Sequence, residues 1–302
     1  MKYEQELTYD ALMERLIFLS KSYEILKLSY IGTTILSRPI PMVTIGDSDA
    51  KKSVLYVSTH HATENICTCA LVDFIEEYAN MYSQGRSVFG INLNVLYKMR
   101  KIHIIPMLNP DGVSYRLEGV GDSNPMKERV EKANNGSDFW YWSSNARGVD
   151  LNHNYNAYFY EYKELEKERG ICEGRGKYSG ETPESEPETS AVCKFIRYNI
   201  DTLCGVLTLH SQGEEIYYKS NGMTSPKSEL IAKALSSMTD YKLSEATDTA
   251  SYGGLTDWFI KEFNKPSFTL ECGRGENPLD IKCSAGIYAR VRKALFNFPI
   301  LF

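Results

Sequence analysis

The sequence predicts an α/β protein: a mixed, mainly parallel twisted sheet with helices on both faces, folded as a single domain over residues 1–302. Three observations carry this expectation. Short apolar runs at 53–58, 101–107, 205–209 and 267–272 suit strands buried on both faces. Segments of helical period stand between or beside them. At 302 residues the chain approaches the upper limit for one hydrophobic core, and no repeat, low-complexity tract or linker divides it.

Each element follows from its local pattern. Leu12, Leu16, Leu19, Tyr23 and Leu26 step by four, three, four and three, so a first helix begins at Tyr9 and carries one apolar stripe. Ser29 to Ile45 suits two strands around the turn Ser37-Arg38-Pro39. The run Ser53–Ser58 then leads through a turn into a helix marked by Cys67, Leu71, Phe74, Tyr78 and Met81. The strand Lys101–Met107 ends at the turn Asn109-Pro110-Asp111-Gly112. Later strands at 205–209 and 267–272 are flanked by helical patterns at 186–198, 226–238, 255–263 and 285–297. Residues 116–145 and 157–184 are polar and carry little strand signal, so they are expected to form long loops, the kind that become lids or binding segments.

Composition excludes several classes of function. Hydrophobic residues at 42% and charged residues at 24% exclude a disordered or fibrous chain. Thirty-four basic against 39 acidic residues leave a net charge of −5, which offers no general attraction to phosphate backbones or anionic lipid. Neither nucleic acid nor a membrane is expected as a partner. The first residues lack the basic start, apolar core and cleavage site of a secretory signal, and the seven cysteines form an odd count without zinc-knuckle spacing. Free thiols and a cytoplasmic location are therefore expected.

Chemistry is narrowed by the scarcity of histidine: the chain has five. His61-Ala62-Thr63-Glu64 places an imidazole and a carboxylate three residues apart on a turn between strand and helix, where both can reach one ion. His60, four residues before Glu64, is a rival that spacing alone does not exclude. His210 follows the run GVLTL directly, where a third ligand would stand. Two neutral imidazoles and one carboxylate suit a single zinc ion, and three protein ligands leave a position for water. Amide hydrolysis also needs a carboxylate to move that water's proton, and Glu271, at the end of the strand SFTLEC, is the candidate. His103 lies inside an apolar strand and is expected to be an ordinary packed histidine.

His61-x-x-Glu64, Asn109-Pro110-Asp111-Gly112, Arg147-Gly148-Val149-Asp150-Leu151-Asn152, GVLTLHSQG and Glu271 after FTL resemble the zinc carboxypeptidase family in order and spacing, over about residues 8–295. Within it, SEPET at 185–189, HSQGEEIYY at 210–218 and the segment from YGGLTDWFI through ECGRGENP are most similar to bacterial γ-D-glutamyl-diaminopimelate endopeptidases. The resemblance implies a zinc peptidase with His61, Glu64 and His210 as ligands and Glu271 as the base. It also implies that Arg147 polarises the scissile carbonyl, with Arg116 as a competitor for that role.

Several positions bear on the substrate. Family exopeptidases clamp a terminal carboxylate with Asn-Arg, and this chain has Asn152-His153, a weaker clamp that favours substrates with their charges elsewhere. Where the family closes a phenol over the substrate the chain has Thr249, with Tyr252 as a substitute. One of Glu214 and Glu215, by strand alternation, is expected to face the cleft, Glu215 being the choice as a partner for an amine. Arg274 is a candidate to hold a substrate carboxylate. Phe139-Trp140-Tyr141-Trp142 either walls the cleft or anchors its loop to the core. The expected function is zinc-dependent hydrolysis of the γ-D-glutamyl to diaminopimelate bond of a small peptide or muropeptide. The alternatives are a metallocarboxypeptidase acting on ordinary peptides and an inactive peptide-binding homologue.

Overall fold

The computed structural model describes residues 3–245 and 252–302. The first helix, α1 (Tyr9–Ser22), is capped by Thr8, whose hydroxyl accepts from the Ala11 amide, and buries Leu12, Leu16 and Leu19. It stops one turn short of the stripe read from the sequence. Tyr23 turns extended and Leu26 opens β1 (Leu26–Thr33), where it pairs antiparallel with Ile45 of β2 (Pro39–Ile45).

The centre of the sheet is built as its apolar runs predict. In β3 (Lys52–Ser58), Val54 and Tyr56 pack on one face while Leu55 and Val57 pack on the other. Next come α2 (Ile66–Ser83), a small hairpin of β4 (Ser87–Val88) and β5 (Ile91–Asn92), α3 (Leu93–Met99) and β6 (Arg100–Ile105). Asn109 caps α4 (Pro110–Glu118) by accepting from the Gly112 amide at 3.0 Å, while its side-chain nitrogen donates to the His60 carbonyl at 2.9 Å. Gly112 is required there, because a Cβ would sit 2.3 Å from the Ser144 carbonyl oxygen.

The two polar stretches expected as loops each hold a helix, α5 (Lys127–Asn134) and α6 (Phe159–Arg169). Both are mostly charged and bury only two or three side chains apiece, so the sequence carries too narrow an apolar stripe to reveal them. The remaining elements are α7 (Pro187–Asn199), β7 (Leu203–His210), β8 (Glu215–Tyr217), α8 (Ser228–Thr239), β9 (Lys242–Ser244), α9 (Leu255–Phe263), β10 (Ser267–Glu271) and α10 (Ser284–Asn297).

The eight-stranded sheet runs β1-β2-β6-β3-β7-β10-β8-β9. Its four central strands β6, β3, β7 and β10 are mutually parallel, and β1, β2 and β8 supply the antiparallel pairings. One face is covered by α1, α2, α8 and α10, the other by α7 and α9. Because the central strands point the same way, the segments after β3, β7 and β10 converge at one edge of the sheet, the usual place for a ligand site in an open α/β fold. No helix among the described residues is long and apolar enough to cross a membrane.

Candidate active site

The turn after β3 sorts the two adjacent histidines. Thr59 adopts a left-handed φ of 58°, costly for a β-branched residue, and its buried hydroxyl is 2.8 Å from that of Thr68. His60 turns into the protein, where its Nε2 lies 2.9 Å from the Tyr155 hydroxyl and its ring stacks on His210. His61 turns outward to the sheet edge. Of the two rivals, the fold presents His61.

His61, Glu64 and His210 meet with ligand atoms all within 4.8 Å of one another. His61 Nδ1 is 3.0 Å from Glu64 Oε1, His210 Nδ1 is 2.8 Å from Glu64 Oε2, and the two Nδ1 atoms are 3.3 Å apart. Three lone-pair donors crowded this closely, two of them neutral-capable imidazoles, fit a single zinc ion. Burial alone would raise the Glu64 carboxyl, yet His61 and His210 overcome it and hold the group near about 2, so it is ionised and ready to ligate.

Asp150 orients the cluster. Its Oδ1 lies 3.0 Å from His61 Nε2 and accepts from the Asn152 amide, and its Oδ2 accepts from the Lys177 amide at 2.9 Å. With Nε2–H donated to Asp150, the His61 Nδ1 lone pair faces the ion site, the carboxylate–histidine arrangement that fixes a ligand's tautomer. Asn277 supports Glu64 from the other side, its side-chain nitrogen 3.4 Å from Oε1 and its Oδ1 accepting from Ser211 Oγ at 2.8 Å. Neither residue stood out in the sequence as a site residue. Asp150 lies inside the very motif quoted for its arginine and asparagine, and no local pattern marks Asn277.

Glu271 ends β10 beside His210, with which it is in parallel register. Its carboxyl is pushed well above the ordinary range, first by burial and then by the charges of Glu64 and Glu215. A carboxyl so placed gains from any positive charge that settles among the three ligands. Glu271 lines a cleft of about 330 Å³ together with His61, Glu64 and His210.

The other expected site residues fare differently. Asn152 and His153 line the cleft. His153 Nδ1 donates to the Tyr252 carbonyl at 2.6 Å and its ring stacks on Tyr162, so in the neutral ring Nε2 is an acceptor and has no proton to offer a carboxylate. Burial lowers its pKa further. The Tyr252 ring packs with Tyr158 and Tyr162 and is not part of the cleft lining, while Thr249 lies outside the described residues. Glu215 accepts from Tyr217 Oη at 3.0 Å and approaches Lys242, and Arg274 pairs with Glu214 at 2.7 Å, so these charges neutralise one another at the rim.

Arg147 stands apart from the cleft. Its guanidinium reaches Glu186 through Nε and Nη2, both at 3.1 Å, and lines a separate cavity of about 210 Å³. Glu186 is almost wholly buried, and a buried carboxylate holds the nearest cation strongly. Arg116 is buried as well, donating to the Ala62 carbonyl and pairing with Glu6. Neither arginine lines the cleft. Among the described residues its single permanently cationic side chain is Lys219, and Asp257, Thr256 and Thr269, which no sequence motif marks, line it as well. Phe139 and Trp142 are buried and anchor their loop, while Trp140 and Tyr141 are exposed.

Two imidazoles and a carboxylate around one ion position, with a second carboxylate across an open cleft, define a metal-dependent hydrolase. The pattern of the zinc carboxypeptidase family matches residues 14–288, and the chain belongs to that family. It is 31% identical to gamma-D-glutamyl-L-diamino acid endopeptidase 1 of Lysinibacillus sphaericus, over 94% of this chain and 70% of that protein. Among solved structures it resembles bovine thrombin-activatable fibrinolysis inhibitor, seen in complex with tick carboxypeptidase inhibitor, with a TM-score of 0.71 at 19% identity over 98% of this chain and 96% of the other. It also resembles the murein-tripeptide amidase MpaA of Escherichia coli O157, with a TM-score of 0.54 at 20% identity over 89% and 90% of the two chains.

Proposed function

We propose that this zinc peptidase hydrolyses the amide bond between γ-D-glutamate and diaminopimelate in small cell-wall peptides. The observation that carries the proposal is the cleft's charge: among the described residues no arginine lines it, and His153, standing where family exopeptidases clamp a terminal carboxylate, has its Nδ1–H committed to Tyr252. An arginine fork makes two charge-assisted bonds to a carboxylate, and a neutral histidine in this tautomer makes none. Likeness over nearly the whole chain to an endopeptidase named for γ-D-glutamyl-L-diamino acid bonds supports the same reading. The seven free cysteines suit a reducing compartment, which supports placing the substrate among muropeptide fragments inside the cell.

His61, Glu64 and His210 would hold the zinc ion, with Asp150 and Asn277 fixing their orientation. When bound, the ion supplies Lewis-acid polarisation of the carbonyl and lowers the pKa of attacking water. Glu271 accepts the water proton at a carboxylate oxygen as the new C–O bond forms. The protonated Glu271 then delivers that proton to the leaving amine nitrogen as the C–N bond breaks, which restores the base and leaves an amine and a carboxylic acid, whose remaining proton passes through solvent to the amine to give carboxylate and ammonium. Asn152 has Oδ1 accepting from the Leu255 amide at 3.2 Å, so its side-chain nitrogen is the group left to donate to substrate.

Mass spectrometry of products from a defined muropeptide mixture tests the proposal, with Glu271→Gln as control. Release of diaminopimelate-containing peptides from a γ-D-glutamyl linkage is expected. Faster turnover of a blocked ordinary dipeptide would instead establish the metallocarboxypeptidase reading.

A further inference from the structure

The cleft is lined by two opposite charges that the hydrolytic chemistry does not use, a buried carboxylate and a solvent-exposed ammonium. Asp257 stands in the first turn of α9, is 6% exposed and lines the cleft, and no cation is paired with it among the described residues. Lys219 lines the same cleft from just beyond β8. Two hydroxyls line the same cleft, Thr256 Oγ1 standing 3.0 Å from Thr269 Oγ1, and Ser267 Oγ donates to Thr256 Oγ1 at 3.1 Å. We infer that Asp257 and Lys219 recognise the far end of the substrate's side chain, Asp257 receiving an ammonium group and Lys219 a carboxylate. The ligand class is therefore an amino acid whose side chain ends in a second amino-acid centre, and the inference rests on the muropeptide reading above.

Depth in the cleft supports this. Thr269 stands two residues back from Glu271 along β10, about 6–7 Å from the reacting end at ~3.3 Å per residue. The trimethylene link between the two centres of diaminopimelate covers a comparable length. A simple aliphatic side chain would leave both charges facing hydrocarbon, a poor match for so polar a lining.

Electrostatics point the same way. Burial pushes the Asp257 carboxyl up to about 7, the mark of an acid with no compensating charge, which an arriving ammonium would supply. Lys219 pairs with Glu245, but that partner is 63% exposed, and a solvated ion pair is cheaply exchanged for a substrate carboxylate. The charges that the sequence offered for these tasks, Glu215 and Arg274, are already engaged at the rim.

Asp257 also sits near the N-terminus of α9, with Oδ2 so close to Gly254 that a Cβ there would meet it at 2.6 Å. A purely structural role would make it an element of the helix start and nothing more. The experiment must separate that role from recognition. Three tripeptides L-Ala-γ-D-Glu-X serve as probes, with X as meso-diaminopimelate, as L-lysine, which lacks the far carboxylate, and as L-2-aminopimelate, which lacks the far amine. The zinc-loaded wild type is expected to prefer the first over each of the others by about tenfold or more in kcat/KM. Asp257→Asn should collapse the diaminopimelate to aminopimelate ratio toward unity while leaving the diaminopimelate to lysine ratio in place. Lys219→Met should do the reverse. Equal losses on all three probes, or a wild type indifferent to the far groups, would overturn the assignment. Cleavage of none of the three beside rapid cleavage of a blocked dipeptide would overturn the muropeptide reading itself, a separate outcome.

Discussion

His210 and Glu271 end adjacent parallel strands in direct register, a candidate metal ligand on one and the candidate base on the other. Their separation is thereby set by the spacing of strands, about 4.8 Å, and not by the conformation of a loop. Hydrogen bonding tightens the pairing, since the His210 carbonyl accepts from the Cys272 amide at 2.7 Å and from Cys67 Sγ at 3.2 Å. A site whose two working groups ride on the centre of a sheet is positioned before substrate arrives.

Replacing Glu271 with Gln keeps its shape and removes its capacity to carry a proton. Hydrolysis is expected to fall by roughly 10²–10⁴-fold, the usual contribution of a positioned acid–base group. Stability should hold or rise, because the substitution removes a carboxyl that burial and two neighbouring carboxylates hold at an unfavourable pKa. Thermal melts and steady-state kinetics on the same preparation check both halves. Near-normal turnover would remove Glu271 from the mechanism.

Asp150→Asn tests orientation at one remove from the ion. The amide oxygen still accepts from His61 Nε2, but the charge that favours the Nε2–H tautomer is gone. Zinc affinity, read by competition with a chromogenic chelator, is expected to weaken by about 10–100-fold. Unchanged affinity would mean that the 3.0 Å contact has no part in holding the metal.

Metal removal has an expected structural cost. In the zinc-free protein, His61, Glu64 and His210 must share protons among atoms all within 4.8 Å. A ligand that binds the folded state alone stabilises it by about 2.7 kcal/mol at a hundredfold excess over its dissociation constant. Dialysis against a chelator should therefore lower Tm by several degrees, and zinc should restore both Tm and hydrolysis. A melting temperature indifferent to zinc would argue against a preformed site.

The sheet and the three candidate ligands stand out in the sequence because each depends on a short-range pattern. Val54 to Val57 alternate between two apolar faces and so form an unbroken apolar run, and His61 and His210 both stand where such runs end. Elements that bury little were not readable: α5 and α6 are mostly polar, and β8 and β9 have three residues each. Arg147 shows a different limit. Its motif fixes where the backbone goes, but the direction of a long side chain is decided by Glu186, 39 residues away. Asp257 and Lys219 escaped notice because a single acid and a single lysine look like surface residues until the fold places them in one cleft.

The pairing of Arg147 with Glu186 predicts a stability effect where the sequence suggests a catalytic one. Arg147→Met would strand a carboxylate that is 3% exposed. Breaking a buried pair costs about 3–5 kcal/mol, and with the arginine side chain 34% exposed about 1–3 kcal/mol is expected. Urea denaturation should show that loss, while kcat of the folded variant stays within a few-fold of wild type. A loss of several orders of magnitude in kcat with unchanged stability would return Arg147 to the catalytic centre.

Glu188, in the same motif as Glu186, sets a pH dependence of folding. It is wholly buried, its Oε1 has no hydrogen-bond partner among the described residues, and burial pushes its carboxyl from the ordinary 4.5 up to about 8. Between those values the folded state holds a proton that the unfolded state has released. Stability from this group is therefore complete below about pH 4.5 and is lost progressively as pH rises through 8. The shift is 8 minus 4.5, or 3.5, and at about 1.4 kcal/mol per unit the whole loss is of order 5 kcal/mol, an upper bound. Glu188→Gln cannot ionise. Its unfolding free energy in urea should match wild type to within about 1 kcal/mol at pH 5 and exceed it by several kcal/mol at pH 9. Parallel pH profiles for the two proteins would show that Glu188 is ionised in the folded state, with a compensating partner close to Oε1.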